Sequence, residues 1–233
     1  KLCESSATLR TTELVGFDVE LLDLAPDQRP SMALLADAAH TLLNRRGLLS
    51  ETILCTPPSF MVSFVELEFP FASTKKIDAV LTFELDDRIP LDVEDIVFDY
   101  RVIQQSEAHT RCLVAFAKRT ELGSFLEALL AVGIDPKEVG FGPLLLGAMP
   151  ALAQVVPGEE SIMIIDLGHH TTHVTVIADS GMTFARDIPI GCSGLQLSVA
   201  KSFELNGADA FKVMVEEGAL NHQGVTDREQ AVH

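Results

Sequence analysis

Between Met61 and Val139 the apolar residues switch repeatedly between a two-residue and a helical period, and this alternation limits the fold more than any other feature of the chain. Met61–Phe69 alternates as a strand does, and Pro70 ends it. Ser73–Leu85 then keeps Ile77, Val80, Leu81 and Leu85 on one helical stripe. Ile96–Ile103 and Arg111–Ala117 read as strands, Thr120–Val132 as a helix closed by Gly133, and a last short strand falls near Val139. The order βαββαβ is that of a ferredoxin-like unit, placed inside the chain as an insertion would be.

The flanks have another character. The residues up to Leu24 read as two strands around a turn, and Pro30-Ser31 opens a helix whose apolar face runs from Met32 to Leu43. Thr52–Thr56 is a short buried strand before Pro57-Pro58. Beyond the insertion, Ile162–Ile165 is an aliphatic run that reads as a strand buried on both faces. Thr171–Ile177 and Thr183–Ile190 form a hairpin around Asp179-Ser180-Gly181, and two helices follow, one after Gly191 and one from about Ala208 to Gly218.

Charge narrows the partners. Lys and Arg number 17 against 34 Asp and Glu, a formal net charge of −17. A surface that negative repels phosphate backbones and anionic lipid, so nucleic acid is excluded as a partner, while cations, basic peptides and Mg²⁺-compensated nucleotides remain. With 47% hydrophobic residues the chain is globular rather than disordered. Cys3, Cys55, Cys112 and Cys192 form no C-x-x-C pair and read as buried free thiols of a cytoplasmic chain. The uncharged stretch Val139–Gly158 is broken by Pro143, Pro150 and Pro157 and reads as a loop, a buried helix and a second loop.

One local arrangement carries chemistry. The aliphatic run ends in Asp166-Leu167-Gly168, and Thr171-Thr172 opens the next strand. Glycine at 168 lets backbone amides approach an anion closely, and the threonine hydroxyls add donors. Asp166, at a strand end, is placed to hold a Mg²⁺-bound water or to orient a nucleophilic one. His169, His170 and His173 invite a zinc reading, but no cysteine or firm carboxylate completes a tetrahedral set. They read better as turn histidines whose protonation near pH 6 adds charge beside a phosphate.

The segment Ile165-Asp166-Leu167-Gly168-His169-His170-Thr171-Thr172 resembles the second phosphate motif of the actin-like ATPase superfamily. Ile188-Pro189-Ile190-Gly191-Cys192-Ser193-Gly194 is similar to the turn into a helix that follows it there, with Cys192-Ser193 interrupting the usual paired glycines. Ala208-Asp209-Ala210-Phe211-Lys212 resembles the segment whose acid and lysine flank the nucleotide. Phe83-Glu84-Leu85, Ile89-Pro90-Leu91-Asp92 and Val97-Phe98-Asp99-Tyr100 resemble one branch, the PilM-like proteins of type IV pilus assembly with the cytoplasmic domains of GspL in type II secretion. That resemblance implies an actin-like (ribonuclease H-like) α/β fold carrying the ferredoxin-like insertion. Its expected parts are a first actin-like subdomain at 1–58, the insertion at 59–140 and a second actin-like subdomain at 141–233. It also implies a preceding hairpin and a following Gly-rich segment outside the sequence given.

The resemblance further implies ATP with Mg²⁺ at Asp166, Gly168, Thr171, Thr172, Gly191, Gly194, Asp209 and Lys212, without turnover. It implies a cytoplasmic scaffold at the inner membrane. The partner is then a short N-terminal segment of a membrane-anchored pilus or secretion protein, or a secretion ATPase; a homodimer stays open. The acids Glu84, Asp86, Asp87, Asp92, Glu94, Asp95 and Asp99 read as a solvated edge or as a docking edge for a basic partner, with Asp92, Glu94 and Asp95 at its centre. Phe64 and Phe69 read as core packing or as a groove for a hydrophobic segment. The competing readings are an ATPase or small-molecule kinase of the same superfold, and a filament-forming relative of cell division.

Overall fold

Each change of period resolves into an element in the computed structural model of the chain. The structure describes residues 1–7, 12–22, 24–25, 27–141, 161–178 and 181–216. They fall into two compact units, Lys1–Asp23 with Pro30–Leu145, and Leu24–Arg29 with Leu146–His233.

The first unit opens with an antiparallel pair, β1 (Leu2–Ala7) and β2 (Thr12–Asp18). Helix α1 (Met32–Arg46) starts where the Ser31 hydroxyl accepts the Leu34 N–H at 3.2 Å, and it ends at Gly47. Its last turn is basic, and Arg45 pairs with Asp18 and Glu20 while Arg46 pairs with Glu4, fastening the helix to the β1–β2 pair. The strand expected at 52–56 is the two-residue β3 (Leu54–Cys55).

Next come β4 (Val62–Phe69), α2 (Thr74–Asp86), β5 (Ile96–Gln105), β6 (Thr110–Lys118), α3 (Arg119–Ala131) and β7 (Glu138–Val139). This is the expected βαββαβ order. Antiparallel pairing gives a sheet ordered β4-β6-β5, with α2 packed on one face. Ile77, Leu81 and Leu85 of the helix meet Leu67, Phe69, Ile96, Cys112, Val114 and Phe116 of the sheet in one core cluster. Fully burying side chains of this size contributes about 1.5–3 kcal/mol each.

The last strand departs from the ferredoxin-like plan. β7 leaves that sheet and pairs in parallel with β3, and the Lys137 and Gly140 amides extend the ladder to the carbonyls of Ile53 and Cys55. Helix α3 goes with it: Phe125 and Leu129 join Ala36 and Leu43 of α1, with Met61 and Ile134, in a separate cluster. The end of the inserted motif is therefore tied to the segments that flank it.

The second unit holds β8 (Ile162–Leu167), β9 (Thr172–Ala178) and β10 (Gly181–Ile188) in one antiparallel sheet ordered β10-β9-β8. Helices α4 (Cys192–Ser202) and α5 (Gly207–Glu216) follow and pack around Val199, Ala210 and Val213. The aliphatic run of β8 is not buried on both faces. Met163 and Ile165 are 62% and 60% exposed, because among the described residues β8 is an edge strand with one face open. The stretch 142–160, where a buried helix was expected, lies outside the described residues, as does the chain after Glu216. Among the described residues no helix is long and apolar enough to cross a membrane.

Candidate functional site

The turn from β8 into β9 lies against the start of α4. Gly168 bonds through its N–H to the carbonyls of Asp166 and Thr171, at 3.2 and 3.1 Å. A Cβ at 168 would stand 2.7 Å from the Thr171 carbonyl oxygen, so only glycine permits this turn. The first amides of α4, those of Cys192 and Ser193, donate to the carbonyls of Gly168 and His169 at 3.0 and 2.8 Å. Gly191 allows that approach, since a Cβ there would meet those carbonyl oxygens at 2.6 and 2.4 Å. The turn and the helix start are thus one interlocked piece.

This interlock redistributes the residues read as phosphate contacts. The start of α4 offers little to an anion, because its leading amides are satisfied by the turn itself. Gly191 serves the close packing, and a Cβ at Gly194 would meet nothing within 4 Å. The Thr172 hydroxyl points inward and donates to the Ile190 carbonyl at 2.6 Å, with the residue 9% exposed. What remains for an anion is the outer arc of the turn. Among the described residues the amides of His170 and Thr171 have no backbone partner, and the exposed Asp166 stands at the strand end beside them. Two amides and one carboxylate are left on that arc, a smaller set than the sequence suggested.

The remaining residues read as nucleotide contacts, Asp209 and Lys212, lie on α5. Asp209 and Asn206 cap the helix reciprocally: the Asp209 N–H donates to Asn206 Oδ1 at 2.9 Å, and Asn206 Nδ2 donates to Asp209 Oδ2 at 2.7 Å. Lys212 lies 3.9 Å from Glu216 on an exposed helical face. Gln196 of α4 donates to the Gly207 carbonyl at 2.7 Å and joins the two helices.

Register brings together a group that the sequence did not reveal. Asp166 of β8, His173 of β9 and Asp187 of β10 are direct cross-strand neighbours and so share one face of the sheet. His173 Nδ1 is hydrogen-bonded to Asp187 Oδ1 in a largely buried pair. Burial pushes the Asp187 carboxyl above its ordinary range, against the lowering effect of His173. His173 is therefore no exposed turn residue, whereas His169 is exposed and His170 Nδ1 lies 3.2 Å from Ser193 Oγ. Among the described residues no group of three His, Cys, Asp or Glu side chains is arranged to hold a metal ion.

The sequence model of the type IV pilus assembly protein PilM matches residues 70–221, more than half of the chain. The chain belongs to the PilM family. A solved PilM–PilN type IV pilus biogenesis complex superposes with a TM-score of 0.73 at 19% identity, covering 92% of this chain and 65% of that one. The chain thus spans just under two thirds of that relative's length. The cytoplasmic domain of EpsL, an inner-membrane component of the type II secretion system of Vibrio cholerae, gives a TM-score of 0.46 at 19% identity, over 73% of this chain and 63% of that one. No curated protein sequence matches. The fold is that of the PilM structure, in the actin-like α/β class read from the motifs.

In this PilM-family chain the residues read as partner contacts divide. Asp92, Glu94 and Asp95 are exposed between α2 and β5. The backbone there is held from behind: Asp86 Oδ1 accepts the Val93 N–H at 3.4 Å, and Arg119 donates to the carbonyls of Glu94 and Ile96 at 3.4 and 2.9 Å. Phe64 is half-buried, edge-on to Phe141 with ring centroids 4.6 Å apart. Phe69 offers no surface. It is 2% exposed because Val65, Leu67 and Phe69 alternate onto the face beneath α2.

Phe83, quoted above only for the family resemblance, is 76% exposed on α2. Helical spacing carried the signal, since Ile77, Leu81 and Leu85 define the buried stripe and leave 83 off it. The four cysteines are free, but only Cys112 is buried and Cys3 is exposed. Burial pushes the Cys112 and Cys55 thiols up to about 11.

Proposed function

We propose that the chain is an actin-like scaffold of the inner-membrane platform that assembles type IV pili, working on the cytoplasmic side. The family match carries this reading. That a PilM is solved in complex with PilN supports a second pilus-biogenesis protein as the partner, here taken to be membrane-anchored. On that reading the exposed acidic edge at Asp92, Glu94 and Asp95 is the electrostatic half of a docking surface, and its partner segment is basic.

Nucleotide takes a supporting part. The outer arc of the turn at 168–171 seats a phosphate through the amides of His170 and Thr171, with Asp166 beside it. Mg²⁺, when bound, neutralises phosphate charge and is held by Asp166 through water. Thr172 and Gly191 keep the turn in shape rather than touch the ligand. The reading is binding without turnover, as the family resemblance implies.

The test is a pull-down and titration with a short N-terminal segment of a PilN protein. Replacing Asp92, Glu94 and Asp95 together by Lys weakens capture at least several-fold and flattens its salt dependence, and leaves ATP affinity unchanged. Capture indifferent to the triple change removes the acidic edge from the account.

A further inference from the structure

The sheet of the first unit has two edges, and one of them lies beside unpaired acids. In the order β4-β6-β5, β6 is paired on both sides, while β4 and β5 each lack a second neighbour among the described residues. On β4 the acids Glu66 and Glu68 are paired with Arg111 of β6. The exposed Asp92, Glu94 and Asp95 lead into β5 and enter no ion pair among the described residues. Asp99 lies on the strand itself. β5 carries neither lysine nor proline, the residues by which sheet edges are usually blunted.

Hydrogen bonding shows which groups face outward. The Tyr100 N–H donates to Asp99 Oδ1 at 2.8 Å, so it is turned away from β6 and stoppered by a side chain. Successive residues of an antiparallel pair face the partner strand and the open side alternately. Phe98, Tyr100 and Val102 share one register, against Phe116, Val114 and Cys112. The N–H and C=O groups of Phe98 and Val102 therefore lie on the same open edge as those of Tyr100. The Ile96 carbonyl is occupied by Arg119 at 2.9 Å, and the register shifts between Val102 and Gln104. Those two points bound a free length, Val97–Val102, of about 20 Å. It is held from within: the Tyr100 hydroxyl donates to Asp78 Oδ1 of α2, and Phe98, Tyr100 and Val102 pack on the core beneath that helix. The other face of the strand offers Val97, 40% exposed, with Asp99 next along it.

We propose that the outer edge of β5 takes an extended basic segment of the pilus partner as a fourth strand of this sheet. The inference rests on the acidic-edge reading given above and adds to it the main-chain pairing that positions the segment. An incoming carbonyl replaces the Asp99 carboxylate at the Tyr100 amide. The freed carboxylate, with Asp92, Glu94 and Asp95, then meets lysine or arginine side chains of the segment. A second copy of the chain would bring like charge to like, each copy having a formal net charge of −17.

The experiment uses the full chain and, as probe, the short N-terminal segment of a PilN protein. The peptide is made unmodified and with every second backbone nitrogen methylated, in either phase. Methylation in the phase that faces β5 lowers affinity at least about tenfold, and in the other phase changes it by less than about threefold. In the unaltered chain the bound peptide slows amide hydrogen exchange at Phe98, Tyr100 and Val102 by at least about tenfold and leaves β4 as it was. Binding that falls when Asp92, Glu94 and Asp95 are replaced by Lys, yet shows neither the methylation phase nor this protection, overturns strand addition and leaves the acidic edge in place. Binding indifferent to those replacements, or no binding at all, overturns the acidic edge and strand addition with it. Val102→Pro removes one outward N–H and keeps the β5–β6 ladder. A folded Val102→Pro protein that binds the peptide as tightly as the parent contradicts the proposal, and the exchange measurement needs no variant.

Discussion

The sheets of the two units contain the same kind of sequence and treat it in opposite ways. β6 carries the apolar run Cys112-Leu113-Val114 at the centre of its sheet, and all three residues are 0% exposed. β8 carries Ile162-Met163-Ile164-Ile165 at a sheet edge, and every second residue of it lies open. An apolar run without a period says that a strand is present, but not whether one face or two will be covered. The difference also separates tasks. The sealed sheet is a platform whose rim carries exposed acids, while the open sheet carries an Asp–His–Asp row at the base of a turn.

The comparison breaks most readily at the two runs themselves. Leu113→Ala leaves a cavity against one face of the central strand and costs about 3 kcal/mol. Ile165→Ala, on the open face of β8, changes stability by no more than about 0.5 kcal/mol. Denaturant unfolding of the two variants measures both values, and equal losses would mean that β8 is covered.

Gly191→Ala tests the interlock beside the open sheet. A methyl group 2.4 Å from the His169 carbonyl oxygen and 2.6 Å from that of Gly168 forces the turn away from α4. The expected loss is about 2 kcal/mol with a marked drop in ATP affinity. Gly194→Ala, where a Cβ meets nothing within 4 Å, is the matched control and leaves both nearly unchanged.

Asp187→Asn probes the polar row and has the smallest effect. Burial raises the Asp187 carboxyl, so the folded state holds its proton more tightly than the unfolded state does. This contribution to stability is present at low pH and is lost as pH rises above about 4, where the unfolded group ionises, through the raised folded value. Relative to the parent, the Asn variant therefore gains stability as pH rises from about 4, by about 2 °C in melting midpoint. A midpoint difference independent of pH would show that Asp187 is not strained by burial.

These effects also mark how much could be read in advance. The helices at 74–86 and 119–131 and the strands at 62–69, 96–105 and 110–118 fell within a residue or two of their expected bounds, because each is long enough to show its period. The partner of β7 was not legible. A two-residue strand has no period, and its pairing with β3 is a long-range choice. The Asp166–Gly168–Thr171 turn was visible as a motif. The inward bond of Thr172 and the capping of α4 by turn carbonyls were not, because sequence does not give the direction of a backbone group. The pairing of His173 with Asp187 depends on strand register, which the sequence also leaves open.

The account rests most heavily on the turn at 168–171 being a phosphate seat independent of the acidic edge. Calorimetric titration of Mg-ATP into the parent and into Asp166→Ala tests that directly, with partner capture measured on the same two proteins. The predicted result is a loss of nucleotide affinity of at least tenfold, with an unchanged melting midpoint and unchanged capture. Equal ATP affinity in the two proteins would contradict it.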